Sequence, residues 1–129
     1  MAKTILLLDD DVAVHALVKK VLAPLGVAIS DAYDGQEGLA MVNRVKPALL
    51  IVDLNMPRLD GWTFISKYRE ATNPAAPVMV LSSRAGFMDK TVRSRLSEVE
   101  AYVTKPFDPK GLRTTVKELL TGGDQAGAR

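Results

Sequence analysis

Residues 4–11 read TILLLDDD, an apolar run of strand length that leads directly into three consecutive carboxylates. Four more short apolar runs follow, and the first, third and fourth consist almost entirely of Ile, Leu and Val. Runs of this kind are typical of parallel strands that are covered on both faces. The second and fifth runs are less hydrophobic, which favours edge positions. The five runs are residues 4–8, 27–30, 48–52, 78–81 and 101–104.

Amphipathic segments separate these runs and indicate helices. In the first segment, the apolar residues at positions 14, 17, 18, 21 and 22 recur at helical spacing, and His15 falls on the opposite face, where we expect a solvent-exposed side chain. Asp34 and Asp108 are predicted to cap the second and fifth helices, and the fourth helix is expected to carry Met88. Strand and helix thus alternate five times, which predicts an α/β fold with an open, doubly wound, five-stranded parallel sheet.

The composition is that of a soluble globular domain. The chain has 129 residues, of which 47% are hydrophobic and 25% charged, which excludes disordered and fibrous classes. It contains no cysteine, so disulfides, thiolate metal sites and cysteine nucleophiles are excluded. The net charge of +2 is too small to indicate nucleic-acid or membrane binding. We expect a cytoplasmic protein with one domain over residues 1–121, and a flexible tail or the start of a linker over residues 122–129.

Charged or hydroxyl side chains follow four of the predicted strands, namely the three central strands and the fifth strand at one edge of the sheet. Asp9 and Asp10 follow the first strand, Asp53 the third, Ser82 the fourth and Lys105 the fifth. In open parallel sheets, ligands bind at the carboxyl ends of the strands. A single aspartate or serine in such a place is more often structural, because these residues begin turns and cap helices. Crowded carboxylates are different, since like charges repel unless a cation or a proton intervenes.

A magnesium ion is the simplest remedy for this crowding, because it prefers oxygen ligands. Asp10 and Asp53 would bind it directly and Asp9 through water, with a backbone carbonyl of the following turn as a further ligand. The three carboxylates are then balanced by Mg²⁺ and Lys105, so the neutral site can receive a phosphoryl group. Attack by the Asp53 carboxylate would give an acyl phosphate, and Ser82 and Lys105 would stabilise the transferred oxygens.

Four motifs occur in the order and spacing found in the receiver domains of two-component response regulators, which the chain resembles over about residues 3–120. The resemblance implies a flavodoxin-like (βα)5 fold with strand order 2-1-3-4-5 and a role in phosphorelay signal transduction. The motifs are LLLDDD at 6–11, VDLNMP at 52–57 with DG at 60–61, VLSS at 80–83, and YVTKPF at 102–107.

The resemblance also implies roles for individual residues. Asp53 is expected to be the phosphoacceptor, converted to 4-aspartylphosphate. Asp9 and Asp10 resemble the acidic pair that organises Mg²⁺, with Asp9 acting through water. Asn55 is expected to supply its backbone carbonyl to the same ion, so the expected cofactor is Mg²⁺.

A second group of residues is expected to bind the phosphoryl group and report its presence. Ser82 matches the switch hydroxyl, Lys105 the lysine that pairs with the phosphoryl group, and Tyr102 the switch aromatic. The resemblance also implies a cis peptide bond between Lys105 and Pro106.

The resemblance implies partners as well. The phosphoryl donor would be a histidine kinase or a histidine phosphotransfer protein, and an unidentified downstream protein would bind the surface formed by the fourth helix, fifth strand and fifth helix. A homodimer through that surface is also consistent with the family, and no nucleic-acid or membrane contact is expected. The chain would be no enzyme beyond its own phosphorylation and dephosphorylation. It departs from the family at Glu98 and Val99, where a Gly-Ala pair is often found, and nothing after Leu120 resembles an output domain.

Two other functions are compatible with parts of the pattern. A constitutive binding module with the same fold is suggested by Glu98 and Val99, but the intact acidic cluster argues against it. A Mg²⁺-dependent phosphohydrolase is the second. Such enzymes usually carry an aspartate two residues after the nucleophile as acid and base, and Asn55 in that place cannot transfer the proton.

Overall fold

The computed structural model describes residues 2–83, 86 and 88–128, and of residues 123–128 the backbone alone. Five parallel strands form one sheet in the order β2-β1-β3-β4-β5, which confirms the expected α/β fold and strand order. The second and fifth strands lie at the edges, as their weaker hydrophobicity predicts. The strands are β1 (Thr4–Leu8), β2 (Ala28–Ala32), β3 (Leu49–Asp53), β4 (Val78–Ser83) and β5 (Ala101–Lys105).

Helices connect the strands, and aspartates cap their amino ends. The side chains of Asp34 and Asp60 accept hydrogen bonds from the backbone N–H groups three residues later, and Asp108 does the same for Gly111. Short 3₁₀ helices cover Ala23–Leu25 and Leu96–Glu98. Among the described residues, the α-helices with defined bounds are α1 (Val12–Leu22), α2 (Gly35–Val45), α3 (Gly61–Ala71), α4 (Lys90–Ser94) and α5 (Pro109–Ala128).

The sheet is buried on both faces, which explains the solidly apolar strands. Leu6 and Leu8 point to the face covered by α2 and α3, where Phe64 is fully buried. Ile5 and Leu7 point to the opposite face, which is covered by α1 and α5. Because neighbouring residues alternate between two apolar cores, positions 5–8 of β1 are all apolar, and the next polar side chain is that of Asp9.

The buried face of α1 differs from the predicted one. Leu17, expected in the core, is 46% exposed, whereas His15, expected in solvent, is 2% exposed. The buried stripe therefore contains His15, Val18 and Leu22, whose spacing of three and four residues also places them on one face of the helix. The helix is rotated this way because both nitrogens of the His15 ring have hydrogen-bond partners inside the protein.

The fourth helix with defined bounds, Lys90–Ser94, follows an interruption at Asp89. It begins at Lys90, because the side chain of Asp89 accepts hydrogen bonds from the backbone N–H groups of Thr91 and Val92 and so caps the helix. Met88, which the fourth helix is expected to carry, is itself helical and 62% exposed, but it lies before this cap, and residues 84, 85 and 87 beside it lie outside the described residues.

The segment before β5 accommodates the two residues that depart from the family pattern. Glu98 ends a 3₁₀ helix and forms an ion pair with Arg95 at 2.9 Å. Val99 is buried and packs in the core on the α2 and α3 side of the sheet. The guanidinium of Arg95 in turn lies 4.5 Å from the ring centre of Trp62 on α3. These contacts attach the segment to α3.

At its carboxyl end, α5 continues to Ala128, past the predicted domain boundary at residue 121. That residues 122–129 act as a tail or linker stays a prediction. None of the helices in the described part of the chain combines the length and the apolar character needed to cross a membrane.

Candidate functional site

The predicted site residues meet at the carboxyl edge of the three central strands. Asp9 follows β1 directly, Asp53 is the last residue of β3, and Ser82 lies near the end of β4. Asp9 and Ser82 are fully buried and Asp53 is 6% exposed. A cluster of polar side chains so well shielded from water needs partners for its charges, and the neighbouring residues supply some of them.

Asp9, Asp10 and Asp53 form an acidic cluster. Each offers one carboxylate oxygen, and the three oxygens lie within 4.8 Å of one another. Asp9 and Asp53 are buried and Asp10 is exposed, so the cluster is open to solvent on the Asp10 side. Three carboxylate oxygens at this spacing are a donor set that suits a hard divalent cation such as Mg²⁺. The residues therefore fit the expected cofactor.

Lys105 reaches this cluster from the edge strand. Its Nζ atom lies 2.6 Å from Asp9 Oδ2 and 3.5 Å from Asp53 Oδ2. Burial lowers the pKa of the Lys105 ammonium, but the hydrogen bond to Asp9 and the charges of both carboxylates raise it more, so the net pKa lies above its ordinary value. The peptide bond between Lys105 and Pro106 is cis.

Burial also determines the titration of Asp53. It raises the pKa of the Asp53 carboxyl, and the nearby charge of Asp9 adds to the rise. The backbone N–H of Asn55, which donates to Asp53 Oδ1 at 3.1 Å, and the Lys105 ammonium oppose it. The net pKa of Asp53 lies above its ordinary value. An ionised Asp53 is thus held at a cost that a bound cation would reduce.

The loop between β3 and α3 positions the surroundings of Asp53. The N–H of Gly61 donates to Leu54 O at 3.1 Å, and a Cβ atom at Gly61 would lie 2.6 Å from Asp53 O. Only glycine allows α3 to begin so close to the end of β3. Asn55 is exposed within this loop, and an ion pair of 2.7 Å between Arg58 and Asp34 joins the loop to α2.

Ser82 differs from the acidic residues because its hydroxyl lacks a partner. Its Oγ atom is buried and has no hydrogen-bond partner among the described residues. A Cβ atom at Gly86 would come within 2.3 Å of this oxygen, so the backbone of Gly86 lies directly against the hydroxyl. An unsatisfied buried hydroxyl beside a functional cluster indicates a place for a polar group of a ligand.

Tyr102 lies on β5, beside Val80 of β4, and is partly buried against the core on the α2 and α3 side. The structure thus places it next to β4, the strand that carries Ser82, and β4 separates it from β3, which carries Asp53.

Sequence analysis missed one residue of this region, His15. Its Nε2 atom lies 2.7 Å from the backbone oxygen of Asp9, and its Nδ1 atom lies 2.6 Å from Asp31 Oδ1 on β2. The signal in the sequence was a histidine in the first turn after the acidic pair, combined with an acidic residue near the end of the neighbouring strand. Hydrophobic periodicity does not detect such a pair, because it counts histidine as polar.

Comparison with known proteins places these motifs in one family. The family model described as the response regulator receiver domain matches residues 5–117. The chain is 35% identical to the sensor histidine kinase CheAY of Helicobacter pylori over 95% of its own length and 16% of that sequence. It is 34% identical to the DNA-binding dual master transcriptional regulator RpaA of Synechocystis, over 94% of its length and 50% of that sequence. The chain therefore spans half or less of these curated relatives.

Solved structures agree with the sequence relatives. The REC domain of AraT, a response regulator from Geobacillus stearothermophilus, superposes with a TM-score of 0.84 at 28% identity, covering 98% of this chain and 99% of that one.

Proposed function

The chain belongs to the response regulator receiver domain family of two-component signalling, and we propose that it accepts a phosphoryl group on Asp53 from a phosphohistidine. The donor would be a histidine kinase or a histidine phosphotransfer protein. The observation that carries this proposal is the environment of Asp53: its buried carboxylate lies beside two further acids and a lysine, and the same sheet edge carries a buried hydroxyl without a partner among the described residues.

In the proposed reaction, a carboxylate oxygen of Asp53 attacks phosphorus and forms an O–P bond. The P–N bond of the phosphohistidine breaks, and its electron pair stays with the imidazole nitrogen. The product is an acyl phosphate on Asp53. Because Asp53 must be ionised to attack, the backbone N–H of Asn55 and the ammonium of Lys105 assist by favouring its charged form.

The surrounding residues divide between metal binding and phosphoryl binding. We assign Asp10, Asp53 and the Asn55 backbone carbonyl as direct Mg²⁺ ligands, and Asp9 as a ligand through water. Bound there, Mg²⁺ would neutralise charge on the transferred phosphoryl oxygens. Lys105 and the Ser82 hydroxyl would bind phosphoryl oxygens from the other side, where the hydroxyl lacks a partner in the described chain.

Phosphorylation would change the local charge and so act as a switch. The carboxylate of −1 becomes a group of about −2, which attracts Lys105 and the Ser82 hydroxyl. Tyr102, on the strand next to Ser82, would move into the space that opens. The surface formed by α4, β5 and α5 would then present a changed shape to a downstream protein or to a second copy of the chain.

Labelling with a small phosphodonor tests the proposal directly. Wild-type protein incubated with acetyl phosphate and Mg²⁺ is expected to gain the mass of one phosphoryl group, and Asp53→Asn is expected to gain none. Asp89→Asn serves as the matched control, because it removes an equal charge at an exposed helix cap that asparagine also fills. Equal labelling of wild type and Asp53→Asn would remove Asp53 as the acceptor.

A further inference from the structure

We propose that His15 is a positioning residue that orients the acidic pair Asp9 and Asp10 for Mg²⁺ binding. This inference rests on the proposed function, and it concerns a side chain that would contact neither the metal nor the phosphoryl group. His15 lies in the first turn of α1 and is 2% exposed. A histidine so deeply buried beside an acidic cluster is held there by specific contacts rather than by hydrophobicity.

Both ring nitrogens of His15 lie within hydrogen-bond distance of an oxygen atom inside the protein. Nε2 faces the backbone carbonyl of Asp9 at 2.7 Å, and Nδ1 faces the carboxylate of Asp31 at 2.6 Å. A backbone carbonyl only accepts, so Nε2 is the donor in the hydrogen bond to Asp9. The ring therefore links the end of β1 to the end of β2 through α1.

Other residues hold the His15 ring in this orientation. Asp31 is itself held by Lys19, whose Nζ lies 2.5 Å from the second carboxylate oxygen. Burial raises the pKa of Asp31, but the hydrogen bonds from Lys19 and His15 lower it more, so that it stays ionised and accepting. The ring of Tyr33 lies against the imidazole, with 4.3 Å between ring centres. The imidazole is thus restrained at both nitrogens and on one face.

The contact to Asp9 matters because of the rigidity of the peptide group. The Asp9 carbonyl and the Asp10 N–H belong to one planar unit, so a hydrogen bond that holds the carbonyl also sets the rotation of that unit. This rotation determines where the Cα–Cβ bonds of Asp9 and Asp10 point. The N–H of Asp9 is held by Ala32 O at 3.1 Å, and His15 completes the restraint on the carbonyl side. Residues that orient metal ligands in this way often affect affinity strongly.

Two substitutions at His15 separate its two contacts. The amide nitrogen of glutamine reaches about as far as Nε2, so His15→Gln keeps a donor for Asp9. The amide nitrogen of asparagine reaches only as far as Nδ1, so His15→Asn keeps the donor for Asp31 and loses the one for Asp9. We expect His15→Asn to weaken Mg²⁺ binding roughly tenfold, and His15→Gln to stay closer to wild type.

Mg²⁺ titration followed by the backbone amide signals of Asp10 and Asp53 in NMR spectra measures this affinity without any phosphorylation. Val18→Ala is the stability control, because Val18 is a fully buried residue of α1 that packs in the core on the α1 and α5 side. This variant is expected to lower stability and to leave Mg²⁺ affinity unchanged. Equal Mg²⁺ affinity in wild type and His15→Asn would overturn the proposal, as would equal losses in both His15 variants.

A second pair of variants keeps the test decisive if His15→Asn does not fold. Asp31→Asn and Asp31→Ala remove the same charge, but only asparagine retains an acceptor for His15. We expect weaker Mg²⁺ binding in Asp31→Ala than in Asp31→Asn, and equal affinities would overturn the proposal. Wild-type protein that neither binds Mg²⁺ nor accepts a phosphoryl group would instead overturn the proposed function itself.

Discussion

The ammonium of Lys105 lies closer to Asp9 than to Asp53: Nζ is 2.6 Å from Asp9 Oδ2 and 3.5 Å from Asp53 Oδ2. In this structure the lysine is therefore paired chiefly with Asp9 rather than with the proposed phosphoacceptor Asp53. Two consequences follow. Lys105 competes with a cation for Asp9, and it must shift toward Asp53 when the charge there increases.

Removal of this competing charge should strengthen metal binding. We expect Lys105→Gln to bind Mg²⁺ several-fold more tightly than wild type, because the substitution removes the repulsion between the ammonium and the ion. Solvent partly screens this repulsion, so the expected gain in affinity is modest. Mg²⁺ titration by NMR or calorimetry measures the effect. Lys110→Gln is the matched control, since it removes the same charge from the exposed first turn of α5. Weaker Mg²⁺ binding in Lys105→Gln would show that the lysine supports the metal site rather than competing with it.

Ser82 should reveal a conflict between stability and function. Its hydroxyl is buried without a partner in the described chain, so Ser82→Ala is expected to keep or raise the melting temperature. The same change should reduce phosphoryl labelling or shorten the lifetime of the label, because one donor to the phosphoryl group is gone.

Ser83→Ala is the control for Ser82. Ser83 Oγ accepts a hydrogen bond from the Gly86 N–H at 3.0 Å, so this variant loses a loop contact and should retain labelling. Thermal melts of both variants measure stability, and mass spectra recorded over time measure the extent and lifetime of phosphoryl labelling. A marked drop in the melting temperature of Ser82→Ala would mean that its hydroxyl is satisfied in the folded protein.

The exposed member of the acidic cluster offers a clean test of the metal site. Asp10→Asn should leave the stability of the metal-free protein nearly unchanged, because Asp10 is exposed. It should abolish the stabilisation by Mg²⁺, which for wild type reaches about 1.4 kcal/mol when the ion is present at roughly ten times its Kd. Melting temperatures with and without Mg²⁺ give both quantities.

Asp11→Asn is the neighbouring control for Asp10. Asp11 caps α1 by accepting from the Ala13 N–H, and asparagine caps helices about as well. This variant should keep the response to Mg²⁺. If Asp10→Asn is stabilised by Mg²⁺ as strongly as wild type, the ion is bound elsewhere.

The sequence was sufficient for the fold and for the acidic cluster because both depend on local patterns. An apolar strand buried on both faces has a signature of its own, and the topology of parallel sheets then brings the ends of β1 and β3 together. The sequence alone therefore groups Asp9, Asp10 and Asp53.

The environment of His15 could not be predicted in this way. Its burial depends on the Asp9 carbonyl and on Asp31 of β2, and only the folded chain brings these acceptors to it. Leu17 shows the same limitation in reverse, because its spacing suits the apolar face but α1 is rotated to bring His15 inward. Local periodicity indicates that a helix is amphipathic. Which residues at the border of the apolar face turn toward the core depends on tertiary contacts.

The pH dependence of stability should identify Asp53 as a buried charge. Its pKa in the folded protein is raised, chiefly by burial, so folding favours the protonated form. The contribution of Asp53 to stability is therefore fully present below the ordinary carboxyl pKa and is lost as the pH rises through the raised value. At neutral pH without Mg²⁺, the ionised group lowers stability, and Asp53→Asn should raise the melting temperature by roughly 2–5 °C.

This difference in melting temperature between Asp53→Asn and wild type should shrink as the pH falls toward the ordinary carboxyl pKa, because wild type then also carries a neutral group. It should also shrink when Mg²⁺ is added at neutral pH, because the ion stabilises only the ionised wild type. Thermal melts of both proteins across this pH range test the assignment, and a melting temperature of Asp53→Asn at or below wild type at neutral pH would contradict a buried, uncompensated charge.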